Sequence, residues 1–367
     1  MIDHRITRRR FLATSAAVTA ATFCHSLGTF AADQSAAYPD RFQQDGGLVV
    51  LPSKGTLYIA SDFHTRHSDY RKWLAATQLV EKLKGGEDVY GLILGDAADI
   101  KPGDTAAEKD GDSRIIDHIR ELQQSLGPVG RRLIFILGNH EAASVQVYGL
   151  LKQHFNLNSQ NRRRLISLLY NSEEGAYYRQ FNFLERITDE QYAYLKGLPV
   201  AVLSKSGLLA VHAAPAKSAN AVGDLVAKRP KILEQLLWSR PVEIQISEPN
   251  YTAADLLGFL KLMANSTLLI AGHTPLSSLP DSWIHHGVGI YGDRQIILAT
   301  SYGSLPGQKS HLVLDLSQSY RAAQDLTPGR HILPLDSTPT TQPAADAQRP
   351  VDCVAQMSEM TNRLEFC

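Results

Sequence analysis

Five polar motifs punctuate this chain, each directly after a run of apolar residues. They are Ser61-Asp62-Phe63-His64, Gly95-Asp96-Ala97-Ala98-Asp99, Gly138-Asn139-His140-Glu141, Val211-His212-Ala213-Ala214-Pro215 and Ala271-Gly272-His273-Thr274-Pro275. Asp, His and Asn are hard and borderline oxygen and nitrogen donors, suited to manganese, iron or zinc. Asp62, Asp96, His64, His212, His273 and Asn139 together exceed what one tetrahedral ion takes up. They suit two ions that share a carboxylate, and two ions ~3.5–4 Å apart acidify a water and clamp a phosphoryl oxygen. Any one motif is weak, because a single histidine after an apolar run is more often a satisfied core residue; the series of five is the signal.

Strand ends are the elements that hold such donors rigidly and turn them toward one crevice. Residues 56–60, 89–94 and 133–137 read as short buried strands. Between them lie a helical pattern through Trp73, Leu74, Leu79, Val80 and Leu83, ending at Gly85-Gly86, and an amphipathic helix over 115–126. That alternation is an α/β unit. Residues 100–113 read as a surface loop, and 143–198 as a mostly helical, aromatic-rich block that is either core or a cap over a site. Strands resume at 207–211, 267–270, 295–299 and 312–316. Residues 32–55 read as a polar, irregular leader, so the sequence predicts one domain from about 50 to 335. Residues 337–367 form a Thr-, Pro-, Ala- and Gln-rich linker with a cysteine-bearing tail.

Taken in order, the motifs resemble the calcineurin-like metallophosphoesterases, and in detail their bacterial phosphoprotein phosphatase (serine/threonine phosphatase-like) branch. Gly138-Asn139-His140-Glu141, Gly272-His273-Thr274-Pro275 and Leu236-Leu237-Trp238-Ser239-Arg240-Pro241 are similar to segments of that branch, and the likeness runs roughly over 56–317. The resemblance implies an α/β fold, a four-layer α-β-β-α sandwich of two mixed sheets flanked by helices, with the site on loops along one edge. It implies that Asp62 and His64 hold one ion, that Asn139, His212 and His273 hold the other, and that Asp96 bridges them. It also implies His140 as the acid that protonates the leaving-group oxygen, with Asp99 orienting it and keeping it cationic. Arg240 would clamp the phosphate, as a guanidinium fork matches phosphate oxygens; outside this context it reads as a surface arginine.

The chain departs from the family at one informative place. The family pattern continues Asp-Arg-Gly where this chain has Asp99-Ile100-Lys101, so the phosphate-binding arginine of that loop is missing. Lys101 can substitute as a point charge without the bidentate fork. Arg66 and His67 are the other candidates, with a solvated loop residue as the plain alternative for all three; His285 and His286 read as an exposed pair without a role.

The resemblance implies hydrolysis of phosphate esters by in-line attack of a metal-bridging hydroxide, without a covalent phosphoenzyme. Monoesters are favoured because Gly272-His273-Thr274 lacks the second histidine of the Gly-His-x-His motif of related diesterases. The alternatives are a phosphodiesterase or diadenosine-polyphosphate hydrolase with the same donors, and a non-catalytic metal-bound binding module, which would have no need of His140.

Composition narrows the class. The 367 residues carry 37 basic against 37 acidic side chains and are 44% apolar, which excludes a disordered chain and a membrane bundle. A general nucleic-acid binder would need a basic excess. The zero sum hides a basic start, because residues 1–31 hold Arg5, Arg8, Arg9 and Arg10 against Asp3 alone. A weakly apolar run from Phe11 to about Cys24 follows, too short to span a hydrocarbon core of ~30 Å. Basic front, apolar middle and small-residue end make a secretory signal, and Thr7-Arg8-Arg9-Arg10-Phe11-Leu12 resembles the twin-arginine export motif.

The expectation is therefore a cleaved signal over 1–31, the twin-arginine translocase as an export partner, and a periplasmic or secreted product without a stable membrane anchor or a nucleic-acid partner. Loss of four arginines and one aspartate leaves 33 basic against 36 acidic residues. The substrate is then a small-molecule phosphate ester or an envelope phosphoprotein. Cys353 and Cys367 are a disulfide in that compartment, or two free thiols on the tail.

Overall fold

A computed structural model describes residues 41–155, 157, 159–172 and 175–336. The expected signal at 1–31 and the tail at 337–367, with Cys353 and Cys367, lie outside the described residues.

The chain starts with the hairpin β1 (Gln43–Asp45) and β2 (Leu48–Leu51), then β3 (Thr56–Ala60). Helices α1 (His67–Thr77) and α2 (Leu79–Lys84) lead into β4 (Val89–Ile93), and α3 (Gly111–Ser125) leads into β5 (Leu133–Phe135). Four helices follow: α4 (Asn139–His154), α5 (Ser159–Tyr170), α6 (Gly175–Arg179) and α7 (Asp189–Lys196). Next come β6 (Ala201–Ser204), β7 (Leu208–Val211), α8 (Gly223–Val226) and α9 (Pro230–Trp238). The short pair β8 (Arg240–Pro241) and β9 (Asn250–Tyr251), helix α10 (Ala253–Leu262) and β10 (Leu268–Ala271) continue the chain. Strands β11 (Ile284–His285), β12 (Val288–Tyr291), β13 (Gln295–Leu298), β14 (Ser310–Asp315) and β15 (Ile332–Pro334) complete it.

Eight strands make one sheet in the order β1-β2-β6-β7-β10-β13-β12-β11, and five make a second in the order β15-β14-β3-β4-β5. In the smaller sheet β3, β4 and β5 are parallel, with Ile59 opposite Leu92 and Ile93 opposite Phe135. In the larger, β7, β10 and β13 are parallel, with Ile270 between Ala210 and Ile296. The β6–β7, β12–β13 and β3–β14 pairs are antiparallel, so both sheets are mixed.

The period of two along each strand explains the layers. Leu57, Ile59, Leu92 and Ile134 of the small sheet share one apolar cluster with Val202, Leu208, Ala210, Leu268 and Ile270 of the large one, the seam between the sheets. Their neighbours Tyr58, Ala60, Ile93 and Phe135 pack instead with Trp73, Leu74, Ile115 and Ile119 of the helices. On the large sheet Leu209, Val211, Leu269 and Ala271 likewise turn outward toward Leu236, Leu237, Phe259 and Leu260. Central strands buried on both faces must be apolar throughout, which is how these segments read. Each fully buried Leu or Ile contributes ~1.5–3 kcal/mol, so both seams matter to stability.

Two expectations are corrected here. The supposed leader contains β1 and β2, and Leu48–Leu51 is a buried strand running parallel to β6, so the domain begins before residue 50. A four-residue strand whose partner lies some 150 residues later leaves little local trace. The helix expected through Leu83 is broken at Gln78, which adopts φ 52° and caps α1. The aromatic block at 143–198 is core and wall at once, since Phe183 and Leu184 are buried while Phe181 packs against His140. Among the described residues no helix is long and apolar enough to cross a membrane.

Candidate active site

Asp62 and His64 follow β3, Asp96 and Asp99 follow β4, and Asn139 and His140 follow β5, all in the small sheet; His212 follows β7 and His273 follows β10 in the large one. The site therefore lies where the ends of the two sheets meet. The chain must turn sharply there, and it does so in the left-handed region: φ is 53° at Asp62, 39° at His64, 55° at Asp96, 70° at Asp99 and 65° at His273. Non-glycine residues adopt that region at a cost, Asp and His more readily than most. Glycines make the tightest approaches possible. A Cβ on Gly272 would fall on the Ser61 hydroxyl and the Asp62 carboxylate, and one on Gly95 would collide with Gly138 and His212.

The histidine tautomers follow from their partners. Nδ1 of His64 donates to the Ala98 carbonyl at 2.8 Å, and Nδ1 of His212 donates to the Leu94 carbonyl at 2.6 Å. With Nδ1 so engaged, each ring turns its Nε2 toward the site, an arrangement usual for metal-ligating histidines. The Nε2 of His64 lies 3.3 Å from Asp96 Oδ2, and that of His212 lies 3.5 Å from Asp96 Oδ1. His64, Asp96 and His140 form one set of converging donors; Asp96, His212 and His273 form another, and Asp96 belongs to both.

Asn139 carries the same message. Its side-chain oxygen lies 2.9 Å from His212 Nε2 and 3.0 Å from His273 Nδ1, facing acceptors only. Turned over, its amide NH2 would donate to both rings and to Asp96 at 3.1 and 3.3 Å. With the oxygen inward, lone pairs converge on one point and only a cation satisfies them. Nε2 of His273 is buried, with no partner among the described residues. Burial and the nearby Asp96 push the Asp62 carboxyl up to about 8. Burial also opposes ionisation of Asp96, yet His212, His140 and His64 hold its carboxyl well below the usual range. Two buried carboxylates among imidazole lone pairs are a donor set short of positive charge, and the residues fit two metal ions sharing Asp96.

Glu141, unassigned in the sequence reading, braces this centre. One of its oxygens accepts the N–H of Asp96 at 2.9 Å and of Gly138 at 3.1 Å, and the other accepts the N–H of Ala98 at 2.8 Å. Its place three residues after Gly138, at the start of α4, was the available signal.

His140 lies beside the metal donors with Nδ1 2.5 Å from Asp99 Oδ2. This contact is the one an orienting role for Asp99 requires, while burial works against the cationic state expected of His140. Burial lowers the His140 pKa well below its ordinary value, and the Lys101 ammonium, in contact with Nε2, lowers it further. Burial also pushes the Asp99 carboxyl well above its usual range.

Arg240 lies near the same groups. It feels Asp96 and Asp62, depresses His273, and its Nη1 donates to Gln245 at 3.2 Å. Trp238 meets His273 edge-on at 6.2 Å, and Phe181 lies 5.3 Å from His140. Of the substitutes for the missing arginine, Lys101 alone reaches the site. Arg66 is bound bidentately to Asp104 at 3.0 and 2.8 Å, and His67 accepts from Arg114 at 2.8 Å. His285 and His286 are exposed, at β11 and the turn after it. Tyr302 was missed. Its ring is edge-on to His64 at 4.9 Å, and its N–H donates to the Asp62 carbonyl at 2.8 Å. Thr300-Ser301-Tyr302 follows an apolar run just as the five motifs do, which could have flagged it.

A family model for calcineurin-like phosphoesterases matches residues 55–297. No curated protein matches the chain. Among solved structures, the chain is similar to a serine/threonine phosphatase from Saccharomyces cerevisiae at 13% identity, covering 84% of this chain and 83% of that one with a TM-score of 0.43. A cold-active protein-tyrosine phosphatase of a psychrophilic Shewanella shares 13% identity over 79% of this chain and 83% of that one, with a TM-score of 0.42. A metallophosphoesterase from Sphaerobacter thermophilus shares 15% identity over 71% and 84%, with a TM-score of 0.37.

Proposed function

The chain belongs to the calcineurin-like phosphoesterase family, a metal-dependent phosphoric ester hydrolase, and from that premise we propose that it is an exported phosphatase acting on phosphate monoesters. The observation that carries the reading is the convergence of His64, Asp96, Asn139, His212 and His273 on the meeting edges of two sheets, with the His140–Asp99 pair beside them. Asp62 and His64 would hold one ion, Asn139, His212 and His273 the other, and Asp96 both; manganese, iron and zinc suit these donors. Such ions would supply Lewis acidity to a phosphoryl oxygen and to an attacking water.

The chain's own groups do the rest. Asp99 fixes the His140 ring through Nδ1, so that Nε2 is the atom that hands a proton to the leaving oxygen. The guanidinium of Arg240 spans two non-bridging oxygens and offsets their charge as the ester bond breaks. Phe181 and Trp238 wall the histidines off from bulk water. The absence of a second histidine after His273 and the near-neutral charge favour a small monoester over a polyanionic diester.

The test is metal analysis of the protein together with turnover of p-nitrophenyl phosphate and its bis-ester. Bound metal with faster monoester turnover is expected; faster bis-ester cleavage would replace the reading with a phosphodiesterase or diadenosine-polyphosphate hydrolase, and bound metal without turnover would leave a binding module. Export through the twin-arginine translocase, toward a small ester or an envelope phosphoprotein as substrate, rests on residues 1–31. Replacing Arg8 and Arg9 by Lys should retain the protein in the cytoplasm on fractionation, and unchanged export would sink that part.

A further inference from the structure

Arg66 uses its guanidinium entirely within the protein. Nε and Nη2 donate to the two oxygens of Asp104 at 3.0 and 2.8 Å, and Nη1 donates to the Ser301 carbonyl at 3.1 Å. Little of this pair meets solvent: the Asp104 side chain is 2% exposed and that of Arg66 15%. Arg66 thereby joins three loops, those after β3, β4 and β13. Asp104 in turn closes a turn on Lys101, its N–H donating to the Lys101 carbonyl at 3.1 Å. On the other side Asn182 grips the preceding residue twice, accepting the Ile100 N–H at 3.1 Å and donating to the Ile100 carbonyl at 2.8 Å.

Lys101 is thus pinned before and after, and its Nζ reaches Nε2 of His140. The Tyr302 ring fills the space between the two cations, with Arg66 5.5 Å and the Lys101 ammonium 5.6 Å from its centroid. A flexible lysine needs such bracing to act as a placed charge, because its long stem otherwise samples many rotamers.

We propose that the Arg66–Asp104 ion pair is a positioning device that, with Asn182, holds Lys101 beside His140 as a cation that binds the phosphoryl group of the substrate. The inference rests on the phosphatase reading for its ligand class. A phosphoryl dianion entering beside His140 meets an ammonium already held in place next to Nε2. Arg66 contributes through Asp104 and Lys101, not by touching phosphate.

The experiment is calorimetric titration of metal-loaded protein with inorganic phosphate, alongside p-nitrophenyl phosphate kinetics. Lys101→Met and Asp104→Asn should each weaken phosphate binding on the order of tenfold and raise KM more than they lower kcat. The double variant should be no weaker than Lys101→Met alone, because the pair acts through that lysine. Losses that multiply, an Asp104→Asn protein with wild-type affinity, or a wild type that binds no phosphate would each overturn the proposal. If Asp104→Asn does not fold, Arg66→Lys, which keeps the charge without the fork, is held to the same non-additivity with Lys101→Met. A wild type that binds phosphate with these dependences yet hydrolyses no monoester would remove the phosphatase reading and leave the positioning device standing.

Discussion

Asp99 and His140 meet at 2.5 Å, carboxylate oxygen to Nδ1, while the other Asp99 oxygen accepts the N–H of Phe183 at 2.5 Å. The carboxylate is thus held from behind by the segment after α6, and the ring has one orientation. His140→Ala should lower kcat by ~10²–10⁴, the usual range for removing a general acid. The loss should be larger with phenyl phosphate than with p-nitrophenyl phosphate, whose leaving group departs without a proton. Equal losses with both esters would count against an acid role.

Asp96 is the shared member of both donor sets, so its loss should be felt at both. Asp96→Asn should bind less than half the metal of the wild type by elemental analysis and lose turnover, whereas His273→Ala should spare an ion at the proposed Asp62–His64 position. Chelation of the wild type should abolish turnover, and added Mn²⁺ should restore it.

Gly272 leaves no room for a side chain between Ser61 and Asp62. Gly272→Ala should destabilise the fold by ~1–3 kcal/mol, as overpacking does, and weaken metal binding by displacing Asp62. Urea unfolding and metal titration of the same preparation read both effects.

His311 on β14 is buried, its Nδ1 has no partner among the described residues, and burial lowers its pKa to about 4. The folded ring stays neutral where the unfolded one, with its ordinary value of 6.5, takes up a proton. Stability is therefore full above pH 6.5 and falls as pH drops toward 4. His311→Leu should remove this fall, gaining about 2 kcal/mol on wild type at pH 5 relative to pH 8, measured by urea midpoints. Titration of the site groups is common to both proteins and cancels.

Residue type and order alone determined a good deal. Apolar runs ending in Asp, Asn or His placed β3, β4, β5, β7 and β10 and named the donors at their ends, because both signals are local, a period of two followed by a polar break. The hairpin of β1 and β2 escaped, since four apolar residues become a strand only through pairing with distant β6. The break at Gln78 and the left-handed turns at Asp62, Asp96 and His273 escaped too, because backbone strain is supported by surroundings that a linear pattern does not display.

Tertiary structure decided the charges. In sequence, Arg66, His67 and Lys101 were equivalent cations near the motifs. Folding brought Asp104, 38 residues on, to Arg66 and left Lys101 to meet His140. It also buried His140 and set an ammonium against its Nε2, and both lower its pKa where the sequence led one to expect a raised value. Coulomb interactions depend on distance and burial, so which charges neutralise each other is known only once the chain is folded. The candidate donors were therefore legible in the order of residues, whereas the cation beside His140 was chosen by the fold.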